Sequence, residues 1–164
     1  MLKILTVNGV GGVKMHIMQW TPHVTVAAIV EQQGKFLLVE EETPFGRRFN
    51  QPAGHLENHE SLLQAVVRET LEETAHTFQA QAILGVYQWQ SEAQNISYIR
   101  FAFIGTLTQH HPHRHLDTGI LRVVWMSIDE MRAQASLMRS PQVVRCAEDY
   151  WLGQRFPLQL LNQL

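Results

Sequence analysis

Along this chain, blocks of β-branched apolar residues alternate with short polar breaks, and helical signals take over in only a few places. Val24-Thr25-Val26-Ala27-Ala28-Ile29-Val30 has the length and composition of a strand. Gln32-Gln33-Gly34 predicts a hairpin turn into a second strand from Lys35 to Glu40. Thr43-Pro44-Phe45-Gly46 predicts a loop, and Arg47 to Gln51 a short strand entering Pro52-Ala53-Gly54. The period then changes: Leu63, Val66, Val67, Thr70 and Thr74 fall on one side of a helix. Asn58 is the expected N-cap of that helix, with Glu60 in its first turn. Ala82 to Trp89 and Ser97 to Leu107 read as a hairpin joined through Ser91 to Asn95, followed by a polar loop from His110 to Gly119. Leu121 to Met126 reads as another strand. Ser127 with Glu130 three residues on signals a capped helix start. A last helix is expected from about Pro141 to Leu152, with Gly153 as its stop. Strands, one central helix, more strands and a terminal helix predict an α/β fold with a mixed sheet between helices.

At 164 residues the chain has the length of one domain with a sizeable core, expected over residues 20–164. Residues 1–19 stand apart. The run Met1 to Val7 is broken at once by Asn8-Gly9 and Gly11-Gly12 with no small-residue cleavage site after it, so it reads as an appended leader rather than a secretory signal. Thirteen Lys/Arg against fifteen Asp/Glu leave no positive excess, which argues against a nucleic acid polymer as partner. Cys146 is the only cysteine, excluding an intrachain disulfide and a cysteine-based zinc site. No run of about 18 apolar residues is present, so no membrane span is expected and the reading is a cytoplasmic protein.

The chemistry concentrates between Gly54 and Glu73. Glu60 stands six residues after Gly54, Arg68-Glu69 begins eight after Glu60, and Glu72-Glu73 follows. On a helix, Glu69, Glu72 and Glu73 occupy i, i+3 and i+4, so their carboxylates share a face and repel unless something neutralises them. A hard divalent cation with oxygen ligands answers that need, and Mg²⁺ in turn points to a phosphate-bearing substrate.

With these six positions at this spacing, the chain resembles the Nudix hydrolases. Their box runs glycine, five residues, Glu, seven residues, Arg-Glu, an apolar residue, any residue, Glu-Glu, any residue, glycine, apolar residue. Thr70, Ala75 and His76 depart from it, and the missing glycine at residue 75 implies a different helix ending, since alanine pays about 1 kcal/mol in a left-handed conformation. No carboxylate of the box is lost. The resemblance implies a Nudix-like α/β/α sandwich, with the catalytic helix following the Gly54 loop. It also implies a phosphoanhydride hydrolase dependent on Mg²⁺, or on Mn²⁺. Pro22 to Ala27, Asn50 to Glu57, Gln88-Trp89, Arg100-Phe101, Arg139-Ser140-Pro141 and Gly153 to Leu158 further resemble a bacterial phosphatase branch of the family, over roughly residues 20–160. That branch implies orthophosphate release from nucleoside tri- and diphosphates or from hydroxymethylpyrimidine diphosphate, on the thiamine pyrophosphate pathway. Cleavage of ADP-ribose or dinucleoside polyphosphates, and nucleotide binding without turnover, stand as alternatives.

Role by role, Glu69, Glu72 and Glu73 are the expected metal ligands, joined through the resemblance by the Gly54 carbonyl. Arg68 and Glu60 are expected to support the carboxylates, Arg68 by ion pairing. The general base stays open between Glu72, Glu73 and a loop carboxylate, Asp117 ahead of Glu92. Trp89, with Tyr87 and Phe45 behind it, offers an aromatic face for a ring. Arg47, Arg48 and Arg100 are candidates for distal phosphates, while Arg139 and Arg155 have the simpler reading of tying down the terminal helix. His110, His111, His113 and His115 lack helical spacing and cysteines, which favours an exposed loop over a transition-metal site. The sequence leaves monomer and homodimer equally open.

Overall fold

The computed structural model describes residues 20–162, so the leader expected over residues 1–19 lies outside the described residues. The strands are β1 (His23–Ile29), β2 (Glu31–Gln32), β3 (Lys35–Thr43), β4 (Gly46–Asn50), β5 (Ala53–His55), β6 (His76–Ser91), β7 (Ile96–His110) and β8 (Ile120–Ser127). The helices are α1 (Leu62–Thr74), α2 (Ile128–Ala133) and α3 (Gln142–Trp151). Hydrogen bonding divides the strands into two ladders. One runs β5-β1-β7-β6 and is mixed, with β1 parallel to β7 and its other pairs antiparallel. The other is antiparallel, β2-β3-β4, with β8 on the second edge of β3.

Side-chain alternation sends these strands into two cores. Val26, Ala28, Val30, Leu37, Ile83 and Phe103 pack with Ala65 and Val66 of α1. Their sequence neighbours Ile29, Phe36, Leu38, Leu84, Ala102 and Ile104 pack with Met131 of α2 and with Val143, Cys146 and Ala147 of α3. A period of two along buried strands therefore puts helical layers on both faces, the expected α/β/α sandwich. Each fully buried Val, Leu or Phe contributes roughly 1.5–3 kcal/mol of apolar transfer to the assembly.

Three local expectations change. The N-cap of α1 is Ser61, not Asn58: Ser61 Oγ accepts from the Gln64 amide at 3.1 Å, and Gln64 Oε1 accepts from the Ser61 amide at 2.7 Å. Two reciprocal bonds outweigh the single one a lone Asn supplies, and Glu60 consequently sits ahead of the helix rather than in its first turn. At the other end, Ala75 takes the left-handed conformation that glycine would take (φ 55°, ψ 28°), its amide bonded to the Leu71 carbonyl at 3.0 Å. The helix thus ends as a glycine-capped helix does, under strain. Finally, β6 and β7 run longer than their apolar cores, and His110 is the last residue of β7, paired with His76, rather than the start of the loop.

Candidate active site

Packing of α1 under β5 brings the box residues together. β5 pairs with β1, Val26 opposite Gly54, which fixes the Gly54 backbone above the helix. The Glu69 carboxylate lies so close beneath it that a Cβ on residue 54 would meet Glu69 Cδ at 2.1 Å. One turn on, Glu73 Oε2 accepts from the Ala53 amide at 2.9 Å.

Arg68 reaches into the acidic row, as the ion pairing expected of it requires. Its Nε and Nη2 donate to the two oxygens of Glu60 at 3.0 and 2.7 Å, a two-pronged contact that suits a planar guanidinium. Its Nη1 donates to Glu69 Oε1 at 2.8 Å and Glu72 Oε2 at 3.1 Å, and its Nη2 also to the His55 carbonyl at 3.0 Å. The repulsion anticipated from the spacing is thus met first by Arg68. Among the described residues no three acidic, histidine or cysteine side chains converge as a ready-made metal cage.

The electrostatics follow from this arrangement. Hydrogen bonding to Arg68 holds Glu60 below the ordinary carboxylate range. Burial raises Glu69, against the opposing pull of Arg68 and with smaller contributions from Glu72 and Asp117. Burial raises Glu73 much further, opposed by the Ala53 amide and reinforced by the charges of Glu69, Glu41 and Asp117. The ionised form of Glu73 is therefore disfavoured unless a cation compensates it. An all-oxygen donor set of Glu69, Glu72, Glu73 and the Gly54 carbonyl, in a cradle that a side chain on residue 54 would fill, fits a hard divalent cation.

A cleft of about 240 Å³ opens on the other side of Gly54, reaching Trp89, Tyr98, Arg100, Arg139 and Ser140. Trp89 and Tyr98, opposite each other on β6 and β7, stack on one another in its lining, ring centroids 5.6 Å apart and planes inclined by 22°. Arg100 is buried, donating to Gln51 Oε1 at 3.1 Å and Asn50 Oδ1 at 3.3 Å, and loss of water lowers its proton affinity. Arg139 lies 3.3 Å from Glu41 Oε1. The structure thus brings Trp89 and Arg100 to one cleft beside the box and adds Glu41, Tyr98 and Ser140, which sequence reasoning did not single out. Along the chain Glu41 is the middle of three consecutive glutamates, Glu40 to Glu42, and nothing in the sequence sets it apart from its neighbours.

Other candidates fall elsewhere. Arg47 pairs with Glu42 at 3.6 Å on the exposed start of β4, and Arg48 Nη1 donates to the Arg47 carbonyl. Neither lines the cleft. Tyr87 donates to Asp149 at 2.9 Å, which ties β6 to α3, and Phe45 is exposed in the β3–β4 turn. Asp117 is held near the acids, its amide donating to the Glu72 carbonyl at 3.0 Å, whereas Glu92 sits in the β6–β7 turn. Arg155 covers the Tyr150 ring at 4.6 Å and anchors the terminal segment. His110 stacks on His76 at 4.4 Å, His111 bonds Thr77 Oγ1 at 2.9 Å, and His113 and His115 are exposed, so these imidazoles do not form a metal group. His23 Nδ1 and His55 Nε2 are 3.1 Å apart; burial and then the neighbouring ring lower the proton affinity of His55.

The chain matches the NUDIX domain family over residues 21–145. It is 41% identical over 141 residues to the phosphatase NudJ of Escherichia coli strain K12, covering 86% of this chain and 91% of that protein. The phosphatase NudJ of Shigella flexneri is equally similar. Among solved structures, a NUDIX hydrolase from Nitrosomonas europaea superposes with a TM-score of 0.85 at 48% identity, covering 88% of this chain and 98% of that one. An ADP-ribose pyrophosphatase from Streptococcus suis, 18% identical with a TM-score of 0.59, shares the fold. With the box residues gathered at the end of α1 under Gly54, and the domain matched over most of its length, the chain belongs to the Nudix family and is a Nudix hydrolase.

Proposed function

We propose that the protein is a Mg²⁺-dependent phosphatase, with Mn²⁺ as a substitute, that releases orthophosphate from nucleoside tri- and diphosphates or from hydroxymethylpyrimidine diphosphate. The observation that carries this reading is the Gly54–Glu69–Glu73 cradle opening directly onto the Trp89–Tyr98 cleft; similarity to phosphatase NudJ supports the choice of product. In this reading Glu69, Glu72, Glu73 and the Gly54 carbonyl hold the cation. When bound, such a cation would offset negative charge on the phosphates and would lower the pKa of a water beside it. A phosphoanhydride P–O bond breaks as the water oxygen bonds to the terminal phosphorus, and the shortened phosphate leaves. Glu72, Glu73 and Asp117 are the carboxylates close enough to the acidic row to take the water proton, Asp117 being held there by its amide bond to the Glu72 carbonyl.

Arg68 and Glu60 are positioning residues. The two-pronged Glu60 contact fixes the guanidinium plane, and the plane fixes Glu69 and Glu72. Arg100 contributes a buried positive charge at the cleft wall. No helix among the described residues is long and apolar enough to cross a membrane, and a cytoplasmic enzyme acting on small molecules completes the reading.

The deciding experiment incubates purified protein and Mg²⁺ with nucleoside di- and triphosphates, hydroxymethylpyrimidine diphosphate and ADP-ribose, measuring orthophosphate and pyrophosphate separately. Orthophosphate from the first three, abolished by EDTA, is the expected result. Pyrophosphate release or ADP-ribose cleavage would replace the phosphatase reading with a pyrophosphatase one. Nucleotide binding without turnover would replace it with a binding module.

A further inference from the structure

Away from the acidic row, two metal-ligating side chains meet by their ring nitrogens: His23 Nδ1 stands 3.1 Å from His55 Nε2. Strand pairing puts them there. Thr25 of β1 is opposite His55 of β5, so His23, two residues before Thr25, shares that face of the sheet and lies diagonally across from His55. On its other side His23 is opposite Tyr98 of β7, whose ring lies edge-on to it at 5.5 Å. The two imidazoles are inclined by 69° with centroids 5.2 Å apart, so they do not stack face to face. His55 and Tyr98 line the cleft beside Gly54 and His23 does not, which sets the pair at the cleft's rim.

A neutral imidazole has one N–H and one lone pair, so a single proton is shared between these two nitrogens. Moving that proton to the far nitrogen of its own ring leaves two lone pairs facing each other, with no net proton released. Zn²⁺ binds imidazole nitrogen at about 2.0–2.1 Å. At that length, two nitrogens 3.1 Å apart subtend roughly 100° at the ion, between the right angle of tetragonal Cu²⁺ or Ni²⁺ and the tetrahedral angle of Zn²⁺. The separation already fits a chelate, and only the tilt of the rings has to change. Imidazole suits these ions, whereas Mg²⁺ prefers an all-oxygen set such as the acidic row.

We propose that His23 and His55 form a two-histidine site for a borderline divalent transition metal, Zn²⁺, Cu²⁺ or Ni²⁺, distinct in chemistry from the hard-cation site at Glu69, Glu72 and Glu73. The ring nitrogens supply two positions. Water, or an anionic group of a molecule in the cleft, supplies the others. The site concerns binding alone and does not rest on the phosphatase reading.

Calorimetric titration with Zn²⁺ at pH 7.5, above the ordinary imidazole pKa of about 6.5, tests it. Excess Mg²⁺ is present to compete for the carboxylates and leave imidazole free. The tightest Zn²⁺ step of the wild type is expected to weaken about tenfold or more in His23→Gln and in His55→Gln, since losing even an outer partner of a metal ligand costs about 10–100-fold. The double variant is expected to lose no more than either single one, because one imidazole alone no longer chelates. His113→Gln combined with His115→Gln is expected to leave that step in place. Paramagnetic Cu²⁺ added to wild-type protein gives a second reading that needs no variant: the ring protons of His23 and His55 broaden before those of His110, His111, His113 and His115. Absence of a Zn²⁺ step, an unchanged step in His23→Gln, or broadening that starts at His110 to His115 would overturn the proposal and leave the pair as a hydrogen bond joining β1 to β5. A Zn²⁺ step lost in both single variants establishes the site whether or not any phosphoanhydride is hydrolysed.

Discussion

The Glu69 carboxylate occupies the volume in which residue 54 would carry a side chain, 2.1 Å from where its Cβ would stand on Gly54. The glycine at the head of the box is therefore a matter of space, since the backbone and the carboxylate cannot both hold their places around a methyl group. Gly54→Ala is expected to displace Glu69 or lift β5. A displacement near 1 Å at a reacting centre costs on the order of 100-fold in rate, while overpacking costs about 1–3 kcal/mol of stability. Steady-state kinetics and denaturant unfolding on the same variant check both, and unchanged turnover would show the carboxylate free to move.

Arg68 joins three carboxylates through a forked guanidinium, which a single ammonium cannot reproduce. Arg68→Lys is expected to lose about 10–100-fold in activity or metal affinity, the usual range for a residue that orients ligands. Mg²⁺ titration of activity separates the two losses, and Glu60→Gln should follow the same trend more weakly.

Glu73 gives the protein a pH signature in the absence of divalent cation. Its folded proton affinity is raised by burial above the unfolded value. Folding therefore favours the protonated acid, and the stabilisation is fully present below the unfolded pKa of about 4.3. It is lost as pH rises through the folded pKa. Glu73→Gln should remove this dependence, so that the variant gains stability over wild type as pH rises through that window. Parallel melts of the two proteins in EDTA measure the difference, and a constant gap between them would refute the assignment.

At the end of α1, Ala75 holds the left-handed conformation at a cost of about 1–2 kcal/mol, against which its buried methyl contributes about 0.8 kcal/mol. Ala75→Gly is expected to give a net gain of less than about 1 kcal/mol, or roughly 2–4 °C or less in Tm for a chain of this size. Thermal unfolding reads the sign, and a loss of stability would mean that packing of the methyl outweighs the strain.

Arg47 is exposed and Arg48 half-buried at the start of β4, and neither lines the cleft. Their replacement by alanine, singly or together, is expected to leave kcat/KM within about threefold of wild type, consistent with the small worth of exposed ion pairs. A tenfold rise in KM would instead place a substrate phosphate at the start of β4.

The acidic row and the order of elements were legible along the chain because both are local quantities. Helical spacing alone puts Glu69, Glu72 and Glu73 on neighbouring positions, and runs such as Val24 to Val30 declare a strand by composition. The start of α1 was misread because Asn58 and Ser61 are both capping residues. What separates them is the reciprocal bond from Gln64, which exists only once the turn has formed.

Tertiary structure alone decided what lies around Gly54. No pattern in the sequence joins residue 41 to residues 98, 100 and 139–140; the β3, β7 and pre-α3 segments meet there because alternate side chains of the sheets must be buried on opposite faces. The same packing carried Arg100 into the cleft wall and left Arg47 and Arg48 outside it, although all three are arginines in strand-forming segments. Spacing along the chain determined which carboxylates could act together. Burial determined how much charge they carry and which side chains face the substrate, because desolvation and contact are properties of the folded assembly.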